Sequence, residues 1–178
     1  MAAKKHIDQV PSQTEIGAAT TAQKPGEFEI IAQYFAPLAN DPGAFKLLDD
    51  AAQVHVPDGS DLVITKDTLV AGIHFLADDP AREIARKALR VNLSDLAAKA
   101  AEPRGYLLSL ALPKDWTEVW LKEFASGLQH DQDEFSITLL GGDTVRTPGP
   151  LTLTVTALGC VETDGMVRRG SARAGDFI

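Results

Sequence analysis

The sequence has 178 residues, which fits one compact domain of the usual size of roughly 100 to 200 residues. Its hydrophobic share of 44% excludes a wholly disordered chain, because disordered chains lack the apolar side chains that offset backbone entropy. The formal net charge of -8 argues against general nucleic-acid binding, and no window approaches the roughly 20 apolar residues that cross a bilayer, so we predict neither a nucleic-acid nor a membrane partner.

The beginning of the chain differs in composition from the rest. Residues 1–24 are rich in Ala, Thr, Gln and Lys and have no apolar periodicity, which predicts a flexible tail without a secretory signal. The folded domain is then predicted to span residues 25–178. The single cysteine, Cys160, can form neither an internal disulfide nor a thiolate metal cluster, so we predict a reducing, cytoplasmic location.

The first half of the domain predicts one helix followed by short strands. Apolar residues after Gly26 recur at spacings of three and four and predict an amphipathic helix that ends at 40–43; they are Phe28, Ile31, Phe35 and Leu38. Residues 52–56 are then predicted as a short strand and 57–60 as a turn. Residues 62–64 read as a buried strand that runs into Asp67.

The second half predicts two longer helices around a strand. Asp79 precedes a proline and is predicted to cap a helix that runs to about Ala101. Residues 106–112 then form a strand. Asp115 or Thr117 is predicted to cap a third helix, whose apolar line consists of Trp120, Leu121, Phe124 and Leu128.

The last part of the chain predicts two strands, 136–140 and 151–161, on either side of a Gly-Gly-Asp loop at 141–143. Helices and strands interleave, but these two strands are adjacent in sequence. This order favours an α+β fold in which helices pack on one face of a mixed sheet. Residues 175–178 resemble a turn that enters another strand, so we expect the chain to be part of a longer protein.

Acidic residues occur where predicted apolar elements meet loops. Carboxylates that converge without cations repel one another, so a convergent set normally requires a divalent cation. Magnesium prefers such oxygen ligands and shares them with water and substrate phosphates. The alternative is that each residue is a surface cap or turn residue; the set comprises Asp49, Asp50, Asp67, Asp95 and Asp143.

Two of these positions have a more specific context. Asp95 shares a helical stripe with Ile84, Ala88 and Val91, which predicts a carboxylate on or beside a buried face, bound to a metal or in a structural salt bridge. The Gly-Gly-Asp-Thr sequence at 141–144 would let backbone amides approach a phosphate while the carboxylate addresses a metal. The same sequence is also typical of an ordinary turn.

Polar residues outside the acidic set leave open alternatives. His74 has apolar neighbours and no Cys or His at zinc-ligand spacing, so it is either a hydrogen-bonded structural histidine or a substrate contact. Arg168 and Arg169 precede a Gly-Ser-Ala-Arg turn, where they either grip phosphate or remain solvated. The chain has no Gly-x-x-x-x-Gly-Lys-Ser/Thr motif, which excludes a P-loop kinase.

Taken in order, these segments resemble the thiamine-monophosphate kinase family of the aminoimidazole ribonucleotide synthetase-like ATP-binding superfamily. The most specific runs are Asp-Thr-Leu-Val-Ala-Gly-Ile-His-Phe, which begins at Asp67, and Val-Asn-Leu-Ser-Asp-Leu-Ala, which begins at Val91. The resemblance covers most of the chain after the tail. Its other segments are 26–35, 49–52, 107–113, 141–144 and 168–176.

The resemblance implies ATP-dependent phosphorylation of thiamine monophosphate to thiamine diphosphate, with Mg²⁺ as cofactor and no catalytic side chain assigned. By motif, it implies a substrate contact at His74. The nucleotide positions that it implies are Gly142, Asp143 and Arg169. The implied magnesium ligands are Asp50, Thr65, Lys66, Asp67, Asp95 and Asp143.

The chain departs from the family pattern at two positions. Leu48 stands where the family usually has Gly, and this restricts the backbone that turns Asp50 toward a metal. Lys66 stands where the family usually has Thr or Ser. If its segment is extended, Lys66 faces away from Thr65 and Asp67 and its carbonyl still serves the metal; alternatively, its ammonium group replaces one magnesium ion.

The family also has a second α/β domain to which nothing in this sequence corresponds, so we expect the isolated chain to be inactive. In the family the first domains of two subunits pair their sheets into a closed barrel, which implies a homodimer. The alternative function is a non-catalytic dimerisation or nucleotide-binding module of the same superfamily. A third possibility keeps the superfamily but changes the substrate, as in aminoimidazole ribonucleotide or selenophosphate synthesis.

Overall fold

The computed structural model describes residues 24–176. Its first helical segment changes type along its length, from a short α-helix to a π-helical turn and then a 3-10 turn. The elements in chain order are α1 (Glu27–Ile30), a π-helical turn (Ile31–Phe35), 3-10 turns (Ala36–Leu38 and Pro42–Leu47), β1 (Ser60–Val70), α2 (Ala81–Ala97), β2 (Glu102–Leu112), α3 (Glu118–Phe135), β3 (Thr138–Arg146) and β4 (Thr152–Glu162).

The four strands form one mixed sheet in the order β1-β4-β2-β3. The last strand, β4, pairs antiparallel with both β1 and β2, whereas β2 and β3 are parallel. A parallel pair needs a crossover connection, and α3 provides it. The predicted α+β fold with a mixed sheet is therefore confirmed.

The two faces of the sheet differ in exposure. On β1, Val63 and Leu69 are buried toward the helices, whereas Ile64 is 60% exposed. Successive side chains of a strand point to opposite faces, so the same alternation extends across the sheet. We call the face away from α2 and α3 the open face; its exposed apolar side chains are Leu62, Ile64, Leu107 and Val145.

The core lies between the other face of the sheet and helices α2 and α3. The N-terminal helical segment closes one side of it with Ile30, Tyr34 and Phe35. Apolar side chains from helices and strands meet here without access to water, and this burial is the main favourable term in folding. The largest fully buried apolar side chains are Tyr106, Phe124, Ile84, Leu89, Leu96, Leu110, Leu112, Leu121, Leu128, Leu153 and Val155.

Several predicted elements agree with the structure. The third helix begins where it was predicted, because the Thr117 side chain accepts a hydrogen bond from Trp120 N over 3.1 Å. Its apolar line is confirmed by the burial of Leu121, Phe124 and Leu128. No helix in the part of the chain that the structure describes is long and apolar enough to cross a membrane.

Other predicted elements were wrong. Residues 52–56 do not pair as a strand. Instead, the backbone N–H of Gln53 donates over 2.8 Å to the carbonyl oxygen of Gly43, which belongs to the second 3-10 turn. Residues 141–143 are not a loop but lie inside β3. Phe28, predicted on the apolar line of the first helix, is 85% exposed; the buried side chains of α1 and the π-helical turn are Ile30, Tyr34 and Phe35.

The start of α2 also differs from the prediction. Pro80 is its N-cap residue, and the carboxylate of Asp79 accepts a hydrogen bond from Leu76 N over 2.9 Å in the preceding turn. The helix ends at Ala97 rather than near Ala101. The predicted tail falls almost entirely on residues 1–23, and the predicted terminal strand on 177–178, which lie outside the described residues.

Candidate functional site

A cavity of 810 Å³ opens at the sheet edge formed by β3. Loop residues Asp49 and Asp50 line one side of it, and Gly142 and Asp143 of β3 line another. Apolar side chains, among them Leu107, form the remaining wall. The cavity therefore combines a largely apolar surface with a few oxygen ligands, as small-molecule sites do.

Local packing of β3 fixes the position of Asp143. A Cβ atom built on Gly142 would lie 1.8 Å from the Leu108 carbonyl oxygen, so β3 passes β2 at a distance that only glycine allows. The pairing of β2 with β3 shifts by one residue between Tyr106 and Leu107, and with the shifted register Asp143 lies opposite Ser109. Because Leu108 and Leu110 are buried toward the helices, Ser109 and Asp143 lie on the open face.

A second group of predicted ligands lies on the helix side of the sheet. Thr65 and Asp67 alternate with the open-face residues of β1, and the Thr65 hydroxyl donates to Asp95 Oδ2 over 3.0 Å. Lys66 is exposed and opposite Thr156, which confirms that its side chain faces away from Thr65 and Asp67.

Asp95 lies beside the buried face of α2, which is one of the two predicted placements, and its carboxylate is exposed. The buried stripe of α2 continues from Ile84 and Ala88 to Asn92 and Leu96, so Asp95 stands at the edge of that stripe. Asn92 is fully buried, and its Nδ2 donates to Ala88 O over 3.1 Å.

The predicted magnesium ligands thus fall into two groups in this chain. Asp50 and Asp143 share the cavity, whereas Thr65, Asp67 and Asp95 lie across the sheet. Among residues 24–176, their carboxylates do not supply three ligand atoms within 4.8 Å of one another. Their assignment as magnesium ligands stays a prediction.

Among the residues that the structure describes, one cluster of possible metal ligands was not predicted from the sequence. His130, Asp131 and Glu134 offer three ligand atoms within 4.8 Å. However, Arg90 already occupies the centre, because it donates to both oxygens of buried Asp131 over 2.7 and 2.8 Å and to Glu134 over 2.7 Å. The group is therefore a salt-bridge network between α2 and α3 rather than a metal site.

The pKa of Asp131 reflects this network. Burial alone raises the pKa of a carboxyl group, but here it is outweighed by hydrogen bonds from Arg90 and His130 and by the charges of Arg90 and Arg86. The pKa of Asp131 therefore lies below its ordinary value of 3.8. The sequence contains only a weak indication of this salt-bridge network: two arginines four residues apart on α2, and acidic residues on α3.

His74 is exposed in the turn that follows β1. Its Nδ1 accepts a hydrogen bond from Val70 N over 3.0 Å, and the ammonium group of Lys87 donates to its carbonyl oxygen. Both alternatives for His74 therefore remain compatible with the structure, since the ring has a backbone partner and also faces solvent.

The remaining predicted positions lie outside the cavity. Arg169 is exposed after β4 and is not among the residues that line the cavity. Leu48 is 89% exposed and has φ -98°, a conformation open to any residue. The effect of Leu48 on the orientation of Asp50 toward a metal stays a prediction.

The comparisons with known proteins agree with the fold. The chain is 50% identical over 162 residues to thiamine-monophosphate kinase of Caulobacter vibrioides, which covers 90% of this chain and 46% of that protein. The chain therefore spans about half the length of the curated relatives it matches. The structure of thiamine-monophosphate kinase from Stenotrophomonas maltophilia matches with a TM-score of 0.67 and 44% identity, over 73% of this chain and 40% of that one.

A third protein, AaThiL complexed with AMPPCP and TMP, matches with a TM-score of 0.62 and 30% identity, over 70% of this chain and 39% of that one. The family described as AIR synthase related protein, N-terminal domain, matches residues 48–161, which include all four strands except the last residue of β4. This match covers more than half of the sequence, so the chain belongs to the AIR synthase related family, through its N-terminal domain.

Proposed function

We propose that the full-length gene product containing this chain is a thiamine-monophosphate kinase that transfers the γ-phosphoryl group of ATP. The observation that carries the proposal is the cavity in which Asp50 meets Gly142 and Asp143, because the family resemblance assigns these positions to metal and nucleotide. Phosphoryl transfer depends mainly on positioning and on neutralising charge, and this needs no nucleophilic side chain. The named relatives support the choice of substrate.

The donor set of the chain fits magnesium, since it consists of carboxylate, hydroxyl and carbonyl oxygens. We infer that Asp50 and Asp143 would hold magnesium in the cavity, and that Thr65, Asp67 and Asp95 would hold magnesium at a separate position on the helix side, with the Lys66 carbonyl as a further ligand. When bound, Mg²⁺ neutralises and orients the phosphates. Since the two groups lie on opposite sides of the sheet in one chain, we infer that a second subunit or a further domain completes the site.

For the nucleotide, the backbone at Gly142 and the guanidinium of Arg169 are the proposed phosphate contacts. For thiamine monophosphate, His74 is the proposed contact. AMPPCP is an analogue of ATP, so the AaThiL complex with AMPPCP and TMP supports this pair of substrates. A biosynthetic kinase of this class acts in the cytoplasm, which is the location we propose.

We further propose a homodimer in which the open faces of two sheets pair into a closed barrel. The support is the row of exposed apolar side chains on this face, where Ile64 is 60% exposed and Val145 is 48% exposed. Pairing would remove this apolar surface from water and cover the sheet edges.

The proposed activity is tested by incubating the full-length product with thiamine monophosphate, ATP and Mg²⁺ and measuring thiamine diphosphate. We expect product formation that chelation of Mg²⁺ abolishes, and a loss of at least about a hundredfold in kcat/KM for Asp143→Asn. Asp133→Asn, an exposed carboxylate on α3, is the matched control and should retain activity. No thiamine diphosphate with all three components present would refute the activity, whereas inactivity of the isolated chain would not.

The second candidate function is a non-catalytic dimerisation or nucleotide-binding module. Lys66 favours it, because this residue adds an ammonium group next in sequence to two proposed metal ligands, Thr65 and Asp67. In the structure this ammonium faces the open face rather than Thr65 or Asp67. Because this ammonium group points away from the proposed ligands, we expect Lys66→Thr in the full-length product to change turnover and Mg²⁺ dependence by less than about twofold. Activity that appears only in Lys66→Thr would support the non-catalytic module instead.

A further inference from the structure

The turn that carries His74 is tied together by its own backbone. Val70 O accepts hydrogen bonds from Ile73 N over 3.1 Å and from His74 N over 2.9 Å, and Gly72 N donates to Phe75 O over 2.8 Å. Phe75 is buried and fixes the end of the turn in the core. Gly72 has φ +80°, which a residue with a side chain adopts only at a cost.

The imidazole of His74 folds back onto this turn. Its Nδ1 accepts a hydrogen bond from Val70 N over 3.0 Å, so in the neutral ring the proton resides on Nε2. The exposed edge of the ring therefore offers a hydrogen-bond donor rather than an acceptor. A phosphate oxygen or another acceptor atom of a ligand is the group that this nitrogen can bind.

Lys87 connects the turn to α2. It lies in the middle of the helix, and its ammonium group donates to the carbonyl oxygen of His74. This is a charge-assisted bond, which is stronger than one between neutral groups. It joins the residue that carries the imidazole to the helix that also carries Asp95, so α2 sets the position of both.

We propose that Lys87 is a positioning residue, which holds His74 so that its Nε2–H is presented as a fixed donor to the phosphorylated substrate. The proposal rests on the proposed function for the identity of that substrate. The geometry of the turn, the ring and the lysine does not depend on it. Lys87 acts through the His74 carbonyl and makes no contact with substrate in this proposal.

The geometric part is tested by ¹⁵N NMR of the imidazole rings in this chain, with His74→Ala to assign the signal. We expect wild-type His74 to have a protonated Nε2 and an unprotonated Nδ1. Lys87→Met should shift the His74 Nδ1 signal toward that of a ring without the Val70 hydrogen bond, because the turn loses its connection to α2. Lys122→Met, the same change at an exposed lysine in α3, should leave the His74 signals unchanged. A Lys87→Met spectrum identical to wild type would overturn the proposal.

The functional part is tested by steady-state kinetics of the full-length product. We expect Lys87→Met to raise KM for thiamine monophosphate about tenfold, with kcat and KM for ATP within about twofold, and Lys87→Arg to restore most of the loss. In a His74→Ala background, Lys87→Met should add less than about twofold, because both changes act through one group. Independent, multiplying effects would overturn the positioning role. If no variant, including wild type, phosphorylates thiamine monophosphate, the proposed function fails and the NMR result alone decides the role of Lys87.

Discussion

Replacing Gly142 with alanine is expected to reduce the free energy of unfolding by about 2 to 3 kcal/mol, because the added methyl group has no space. Its Cβ would lie 1.8 Å from the Leu108 carbonyl oxygen and 2.7 Å from the Leu108 carbonyl carbon. These are backbone atoms, so a side-chain rotation cannot relieve the clash. Strands β2 and β3 must separate, and the carboxylate of Asp143 moves with them. Urea denaturation, followed by circular dichroism, measures the loss.

Gly141 offers a matched control one residue away. A Cβ atom at Gly141 would meet only Leu107 Cδ2, at 3.4 Å, and this is the end of a flexible side chain. Gly141→Ala should therefore change the free energy of unfolding by less than about 1 kcal/mol, since alanine also restricts the unfolded chain. Equal losses in the two variants would contradict the close approach of β3 to β2. If Gly142 also admits phosphate, nucleotide affinity should fall in Gly142→Ala and persist in Gly141→Ala.

The second large effect is expected for Asp131→Ala, at about 3 kcal/mol of unfolding free energy, because the change leaves the arginines of α2 without their buried partner. Asp131 is fully buried and receives two hydrogen bonds from Arg90 and a salt bridge from Arg86 over 3.4 Å. Thermal and urea denaturation both measure the effect. Asp133→Ala, which removes an exposed carboxylate from the same helix, should cost less than about 0.5 kcal/mol.

Asp131 also predicts how stability depends on pH. Its pKa in the folded protein lies below its ordinary value of 3.8, so the carboxylate stabilises the fold fully above that value. This stabilisation is lost as the pH falls through the lower, folded-state pKa. Stability measured against pH should therefore fall less steeply at acidic pH in Asp131→Ala than in wild type. Parallel curves for the two proteins would contradict the assigned pKa shift.

Helix α3 and strand β4 were predictable because their sequence patterns are unambiguous. In α3, a threonine cap precedes an apolar line at helical spacing, and both features appear where the sequence predicts them. Residues 52–56 have the composition of a strand and lie near the edge strand β3, but they form no ladder with it; Gln53 N donates to Gly43 O of a 3-10 segment instead. Strand formation depends on a partner, which a local pattern does not contain.

The sequence proposes the candidate ligands as a set of residues, but it does not determine their arrangement. Motifs identify Asp50, Asp67, Asp95 and Asp143, yet only strand pairing decides which face each one occupies. Asp95 was predicted on or beside the buried face of α2, and only the packing of the helix shows that the fully buried polar residue of that face is Asn92, three positions earlier. Arg90 and Asp131 lie 41 positions apart, so only the packing of α2 on α3 brings them together.

The strand order also has a consequence for the synthesis of this chain. Strand β4 is one of the two inner strands and the last of the four strands of the described sheet to be made, so β1 must wait for it, since Ser60 pairs with Glu162. Contacts between such distant segments form slowly, because the intervening chain must lose conformational entropy before any hydrogen bond between the two strands can form. A nascent chain that stops before residue 152 has only the β2–β3 pair available. During synthesis, the apolar side chains of β1 therefore lack their neighbouring strand until β4 has been made. In this interval they are exposed to aggregation, which chaperones prevent.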